Sequence, residues 1–273
     1  MAKRKRDDYE WSIVFTGAGA LAAAVQAIAN LSQVLFAEVA GGTLTTQAVS
    51  SAKSCIVTAS VTCERDAPGP VKFCVDARTL LQVLRGVHDT QTLRIGVRAG
   101  APDCIAVTAS DEVTNTGTMR WKLPMLSEDN YRVTLDTLSY ECEWMYDVTT
   151  LKADLKRCRD MECEDIVRLR YLRGGGGTAV EMTAAGARGE VCVRHQSTTE
   201  GGMAAAGEKN DSGELETVFD QEYCIENLGD FLRAVDQARI KLLLGPEQPM
   251  VVELEMGGDG STMSFVQGPH VAA

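Results

Sequence analysis

The sequence predicts an α+β chain of two similar domains, and three observations predict it. Four helical apolar patterns stand at wide intervals. Each follows a short strand-like segment. Each precedes alternating segments that read as antiparallel strands. A unit of strand, helix and strands used four times gives two units per domain, a repetition of element order rather than of residues. A chain of 273 residues accommodates two domains of ordinary size, and 45% hydrophobic with 24% charged residues is a globular mix.

The first unit opens with a strand at 12–15 and a helix at 17–31, where Leu21, Val25 and Ile28 fall at helical spacing with alanines between. Gly17-Ala18-Gly19 between them reads as a tight turn, because the third glycine and the acidic partner of a dinucleotide site are missing. A strand at 54–61 follows. The second unit has a strand at 71–75, then a helix at 76–87 with Leu80, Leu81, Leu84 and Val87 on one side and Asp76 as N-cap. A strand at 92–97 completes it. The polar stretch 127–137 marks the domain boundary. The third unit runs through a strand at 140–145, a helix at 147–159 with Leu151, Leu155 and Cys158 on one face, and strands at 166–171 and 191–195. Four glycines at 174–177 read as a hairpin tip, and the small, polar stretch 198–216 as a long loop. The fourth has a strand at 218–225, a helix at 226–238 with Leu228, Leu232 and Val235, and a strand at 250–256.

Composition excludes several functions. A net charge of −11 argues against coating nucleic acid with the whole surface and leaves room for a local basic face. No apolar run reaches the ~18 residues of a membrane span, so no membrane partner is expected. Lys3-Arg4-Lys5-Arg6 is followed by no apolar stretch and is not a secretory signal. It reads as a nuclear import signal, a phosphate-binding arm or a solvated tail. The nine cysteines form no C-x-x-C pair, which suits a reducing compartment and predicts no metal site. There is no phosphate-cradling G-x-x-x-x-G-K-[ST] loop, and His88, His195 and His270 suggest no Ser-His-Asp set. No catalytic residue and no cofactor are expected; a binding protein or scaffold is.

The helices carry the informative charge. Lys152, Lys156 and Arg159 share one stripe of the third helix, with Arg157 nearby and Asp154 and Asp160 diluting it. Arg78 and Arg85, seven apart, share a face of the second. The fourth has Arg233, with Arg239 and Lys241 just beyond; the first has only Gln26, Asn30 and Gln33 as polar positions. Cations on the free faces of several helices read either as ordinary solvation or as a track for a polyanion.

The order of elements resembles the proliferating cell nuclear antigen (PCNA) family of DNA sliding clamps, from about Ser12 to Pro269. Residues 74–97 resemble the family's second helix and following strand. Trp121-Lys122-Leu123 resembles the strand leaving the first domain, and Tyr140-Glu141-Cys142 the start of the second. Thr183-Ala184-Ala185-Gly186 resembles a family turn, residues 249–253 its Pro-Leu-Val-Val-Glu strand, and Gly268-Pro269 its closing Ala-Pro. The resemblance implies the sliding-clamp fold, with helices on one face of antiparallel sheets. It divides the chain into a basic arm (1–11), a first clamp domain (12–126), an interdomain connecting loop (127–138) and a second clamp domain (139–273).

It further implies a nuclear, non-enzymatic processivity factor: a homotrimeric ring around duplex DNA, gripping it without reading sequence. Arg85, Lys156 and Arg233 match the inner-helix cations, and Arg78, Lys152, Arg159 and Arg239 assist. The partners implied are DNA polymerase, other replication and repair proteins bearing clamp-interacting peptides, and a clamp loader. The peptide pocket maps to Ala48, Val49, Val133, Leu135, Pro249, Val266 and Pro269. Subunits are expected to join edge to edge, with residues 104–121 of one meeting 190–197 of the next. The first helix lacks the family's lysines, the family's lysine-bearing loop is replaced at 173–178 by glycines, and no acidic tail follows Pro269. The alternative is one chain of a heterotrimeric checkpoint-type clamp, or a viral polymerase accessory factor that closes no homotrimer.

Overall fold

The computed structural model describes residues 9–66, 69–111, 118–127, 133, 140–174, 177–197, 215–257 and 259–270. The basic run at 3–6, most of the connecting loop including Leu135, the glycine pair 175–176 and the stretch 198–214 lie outside them. In chain order the elements are β1 (Tyr9–Thr16), α1 (Gly19–Leu31), β2 (Val34–Ala40), β3 (Thr43–Val49), β4 (Cys55–Thr62), β5 (Glu64–Asp66), β6 (Val71–Asp76), α2 (Ala77–Leu84), β7 (Thr92–Arg98), β8 (Cys104–Ser110) and β9 (Met119–Pro124). There follow β10 (Cys142–Asp147), α3 (Val148–Arg159), β11 (Ile166–Gly174), β12 (Gly177–Gly186), β13 (Gly189–Ser197), β14 (Glu216–Cys224), α4 (Glu226–Leu232), β15 (Arg239–Leu244), β16 (Met250–Met256) and β17 (Ser261–Gln267). Each helix follows a strand, as the sequence predicts.

The chain divides into two compact units: Met1–Val49, Val57–Val133 and Met256–Met263; and Ser50–Ile56, Thr134–Glu255 and Ser264–Ala273. In the first, one sheet has the order β5-β1-β7-β8-β9, and β6-β2-β3-β4 run side by side. The pairing is antiparallel, with Ser12 opposite Gly96 and Val107 opposite Trp121. Trp11 stacks on Phe73 at 5.5 Å between ring centroids. Gly96 is required by close approach: a Cβ there would stand 2.2 Å from the Trp11 carbonyl oxygen. Helices α1 and α2 pack together, and Ala24 and Ala27 are as fully buried as Leu21, Val25 and Ile28. Small residues on that face let the helix sit close to its neighbours.

In the second unit the order is β13-β12-β11-β14, with β10-β15-β16 alongside one another. Its core holds Trp144 edge-on to Tyr171 at 6.5 Å, and Phe231 against Phe265 at 5.1 Å. Outward-facing residues of the four-stranded sheet form an ion-pair row. Arg194 meets Glu181, Glu181 meets Arg170, and Arg170 meets Asp220, which is also bound by Arg168.

Two helices start with the same device. Asp76 accepts from the Thr79 amide at 2.7 Å, and Asp147 from the Thr150 amide at 2.8 Å and its hydroxyl at 3.0 Å. Burial would raise the Asp76 carboxyl, but the Thr79 bonds outweigh it, with Gln33 and Arg78 adding, and hold it below the ordinary range. The Thr150 bonds do the same for Asp147, with Arg239 adding. Carboxyls lowered by folding contribute stability above their unfolded pKa of about 3.9 and lose it as pH falls through the folded value. Asp147→Ala is therefore expected to cost about 1 kcal/mol at neutral pH. Urea unfolding as a function of pH checks this, the gap to wild type closing below about pH 4.

The fourth helix is shorter than the expected 226–238. After Phe231 the ladder tightens, Ala234 donating to the Phe231 carbonyl and Val235 to that of Leu232. Three residues beyond the helix, the Val235 carbonyl accepts from Lys152 Nζ at 3.0 Å. Leu228, Leu232 and Val235 are all buried, so the apolar stripe was real although the helix stops inside it.

Candidate nucleic-acid interface

Helix α3 is the most cationic. It buries Val148, Leu151, Asp154, Leu155 and Cys158 and exposes Lys152, Lys156 and Arg157. Lys156, Arg157 and Arg159 occupy its last turn, where the helix dipole favours positive charge. Asp154, expected to dilute this cationic face, points the other way. It is 0% exposed and accepts from Tyr146 Oη at 2.9 Å, His195 Nε2 at 2.7 Å and Arg157 Nη1 at 2.8 Å. Burial, then the Asp154 charge, pushes the Tyr146 hydroxyl far up, so it remains a donor.

The other cations divide by what already holds them. The Lys156 side chain is exposed and makes no hydrogen bond or ion pair among the described residues. Lys152 is spent partly on the Val235 carbonyl. Arg159 is a strut: Nε binds Asp165 at 2.9 Å, and Nη2 reaches the Ile225 carbonyl at 3.0 Å. It lies so close to α4 that a Cβ on Gly229 would be 2.6 Å from Nη2. Arg233 is exposed and tied to Asp230 three residues back at 2.5 Å. Arg239 stands opposite Asp147 on β15. In the first unit Arg78 is exposed near the start of α2, and Arg85 at its end donates to Gln26 of α1 at 2.6 Å. Gln26 in turn donates to Asn30 at 2.8 Å. The polar residues of the uncharged α1 thus serve to orient a cation from α2, a role its composition did not suggest.

Strands β5, β6, β9, β10, β13 and β14 each end a sheet among the described residues. β9 and β13 each have one neighbouring strand there. The expected edge at 104–121 is corrected in part, because β8 lies between β7 and β9 and is closed on both sides. β9 presents exposed Arg120 and Lys122, and β13 exposed Glu190, Cys192, Arg194 and Gln196. Cys192 is the exposed thiol among the nine cysteines, whereas burial pushes Cys158 up to about 12. A thiol reagent at neutral pH is expected to modify Cys192 first and leave Cys158 unmodified until unfolding, as peptide mass mapping would read.

The expected peptide-pocket residues are distributed as follows. Val133 is 37% exposed, and its backbone is clamped by the Gln47 side chain at 2.6 and 3.0 Å, next in sequence to buried Ala48 and half-buried Val49. In the second unit Val266 is buried and Pro249 and Pro269 are half-buried.

Fold and site together define a two-unit α+β protein with cationic helices and open sheet edges, an arrangement of the sliding-clamp type. No family model and no curated protein matches the chain by sequence. Solved structures do match. The PCNA of Entamoeba histolytica superposes with a TM-score of 0.76 over 96% of this chain and 100% of that one, at 14% identity. The PCNA of Thermococcus kodakaraensis gives 0.74 over 95% and 100%, at 16% identity. The chain has the PCNA fold.

Proposed function

We propose that the protein is a DNA sliding clamp: copies close edge to edge, β9 on β13, into a three-membered ring around duplex DNA. The observation that carries the reading is the whole-length PCNA fold combined with exposed cations on α2, α3 and α4. Lys156, Arg85, Arg78 and Arg233 meet phosphates without reading bases, which lets the ring slide. Lys152, Arg239 and Arg159 stand behind them. Pairing of exposed strand edges supplies a physical reason to close a ring. The exposed Val133, beside Ala48 and Val49 in the first unit, receives an apolar anchor of a polymerase or other partner peptide. A loader opens the ring, and the clamp is a nuclear scaffold rather than an enzyme.

The absence of any Lys or Arg in α1 supports a second reading, a chain that closes only with other subunits or serves as an open accessory factor. Light scattering over a dilution series separates the two. Three chains of 29.4 kDa give about 88 kDa, and a mass near that value supports the homotrimer. A monomer at every concentration sinks it.

A further inference from the structure

We propose that Asp154 is the positioning residue for the edge strand β13, holding the open edge in place from the cationic helix. The inference rests on the clamp reading for its consequence, since that reading makes β13 a pairing edge.

The geometry is specific. A helix that otherwise buries apolar residues buries one carboxylate completely. One oxygen takes the Arg157 guanidinium from the exposed face, and the other takes Tyr146 of β10 and His195 of β13. The His195 ring also stands edge-on to Tyr146, 5.2 Å between centroids. A buried carboxylate that loses its donors is costly, so the three groups are held together strongly. Tyr146, Asp154 and Arg157 lie on one continuous strand–helix segment, since β10 runs directly into α3. His195 comes from a separate strand, β13, whose one neighbour among the described residues is β12. The cluster therefore ties β13 to the β10–α3 segment. His195 lies opposite Val180 near the far end of the β12–β13 ladder, where an edge strand frays most readily.

The test uses the full chain and the isosteric Asp154→Asn. An amide carries no charge, so whichever way it turns, the charge-assisted bond to His195 becomes a weaker neutral one while volume is kept. Amide hydrogen exchange is expected to rise about tenfold across 191–197, the size of one lost charge-assisted hydrogen bond, with β11 unchanged. Self-association weakens by a similar factor, and adding His195→Gln to Asp154→Asn changes neither further. Exchange that rises equally throughout the second unit, or effects of the two substitutions that add, overturn the proposal. A wild-type chain that does not self-associate overturns the clamp reading instead and leaves the exchange test standing.

Discussion

Lys156→Ala is expected to weaken binding to a short duplex about a hundredfold at low salt, in a ring that removes three such contacts at once. Lys156 is exposed in the last turn of α3, where the helix dipole already favours a cation, and no partner among the described residues competes for it. A phosphate contact of this kind releases counterions. The slope of log affinity against log salt should become shallower by about three, one for each copy. Sequence preference should not change, because no base is read. Arg159→Ala is the informative contrast. Its guanidinium is occupied by Asp165 and the Ile225 carbonyl, so its loss should lower the unfolding midpoint and leave the salt slope close to wild type. Fluorescence anisotropy over a salt series reads both variants. Equal slopes for Lys156→Ala and wild type would remove α3 from the interface.

The largest stability effect is expected at Gly96. A Cβ there would lie 2.2 Å from the Trp11 carbonyl oxygen and 2.8 Å from the Ser12 Cα, both backbone atoms of the neighbouring strand. Backbone cannot swing aside as a side-chain tip can, so Gly96→Ala must part β1 from β7 along a register running from Tyr9 to Thr16. Overpacking combined with lost ladder bonds puts the cost at about 3 kcal/mol or more. Urea denaturation is the measurement, with Gly69→Ala as control, since a Cβ there meets nothing within 4 Å. Equal costs for the two substitutions would mean that β7 accommodates a Cβ at position 96 without parting from β1. The Gly96 variant should also self-associate more weakly, because β7 carries β8 and β8 carries β9.

Much of the architecture was legible in the sequence because apolar periodicity is a strong signal on elements buried along one face. The stripes Leu21/Val25/Ile28 and Leu151/Leu155/Cys158 are buried as expected. The D-x-x-T capping pattern was only half read: Asp76 was expected as a cap, and Asp147 performs the same role. What was not legible depends on partners distant in sequence. Asp154, three residues from Leu151 and four from Cys158, falls on the buried face by spacing alone, whereas Asp160 is the exposed C-cap; what was not legible is the donor His195, 41 residues on. Arg159 resembled Lys156 by spacing, yet the absence of a side chain at Gly229 lets α4 approach and makes Arg159 a strut. The length of α4 was misjudged because the ladder tightens after Phe231, where Ala234 and Val235 bond three residues back, a change that leaves the apolar stripe intact. The edge at β9 depended on sheet order, which periodicity does not encode.

The pairing of β1 with β7 has a consequence for biosynthesis. Ser12 finds its partner in Gly96, about 80 residues later, and no nearer strand forms the long ladder that β1 needs. At typical rates of elongation, the first strand waits on the order of 4–16 s after leaving the ribosome before its partner exists. During that interval Ile13 and Phe15, fully or almost fully buried in the finished unit, are exposed. The nascent chain should therefore depend on chaperone holding early and lose that dependence once β7 emerges. Ribosome-bound chains truncated before and after Arg98 would show whether it does.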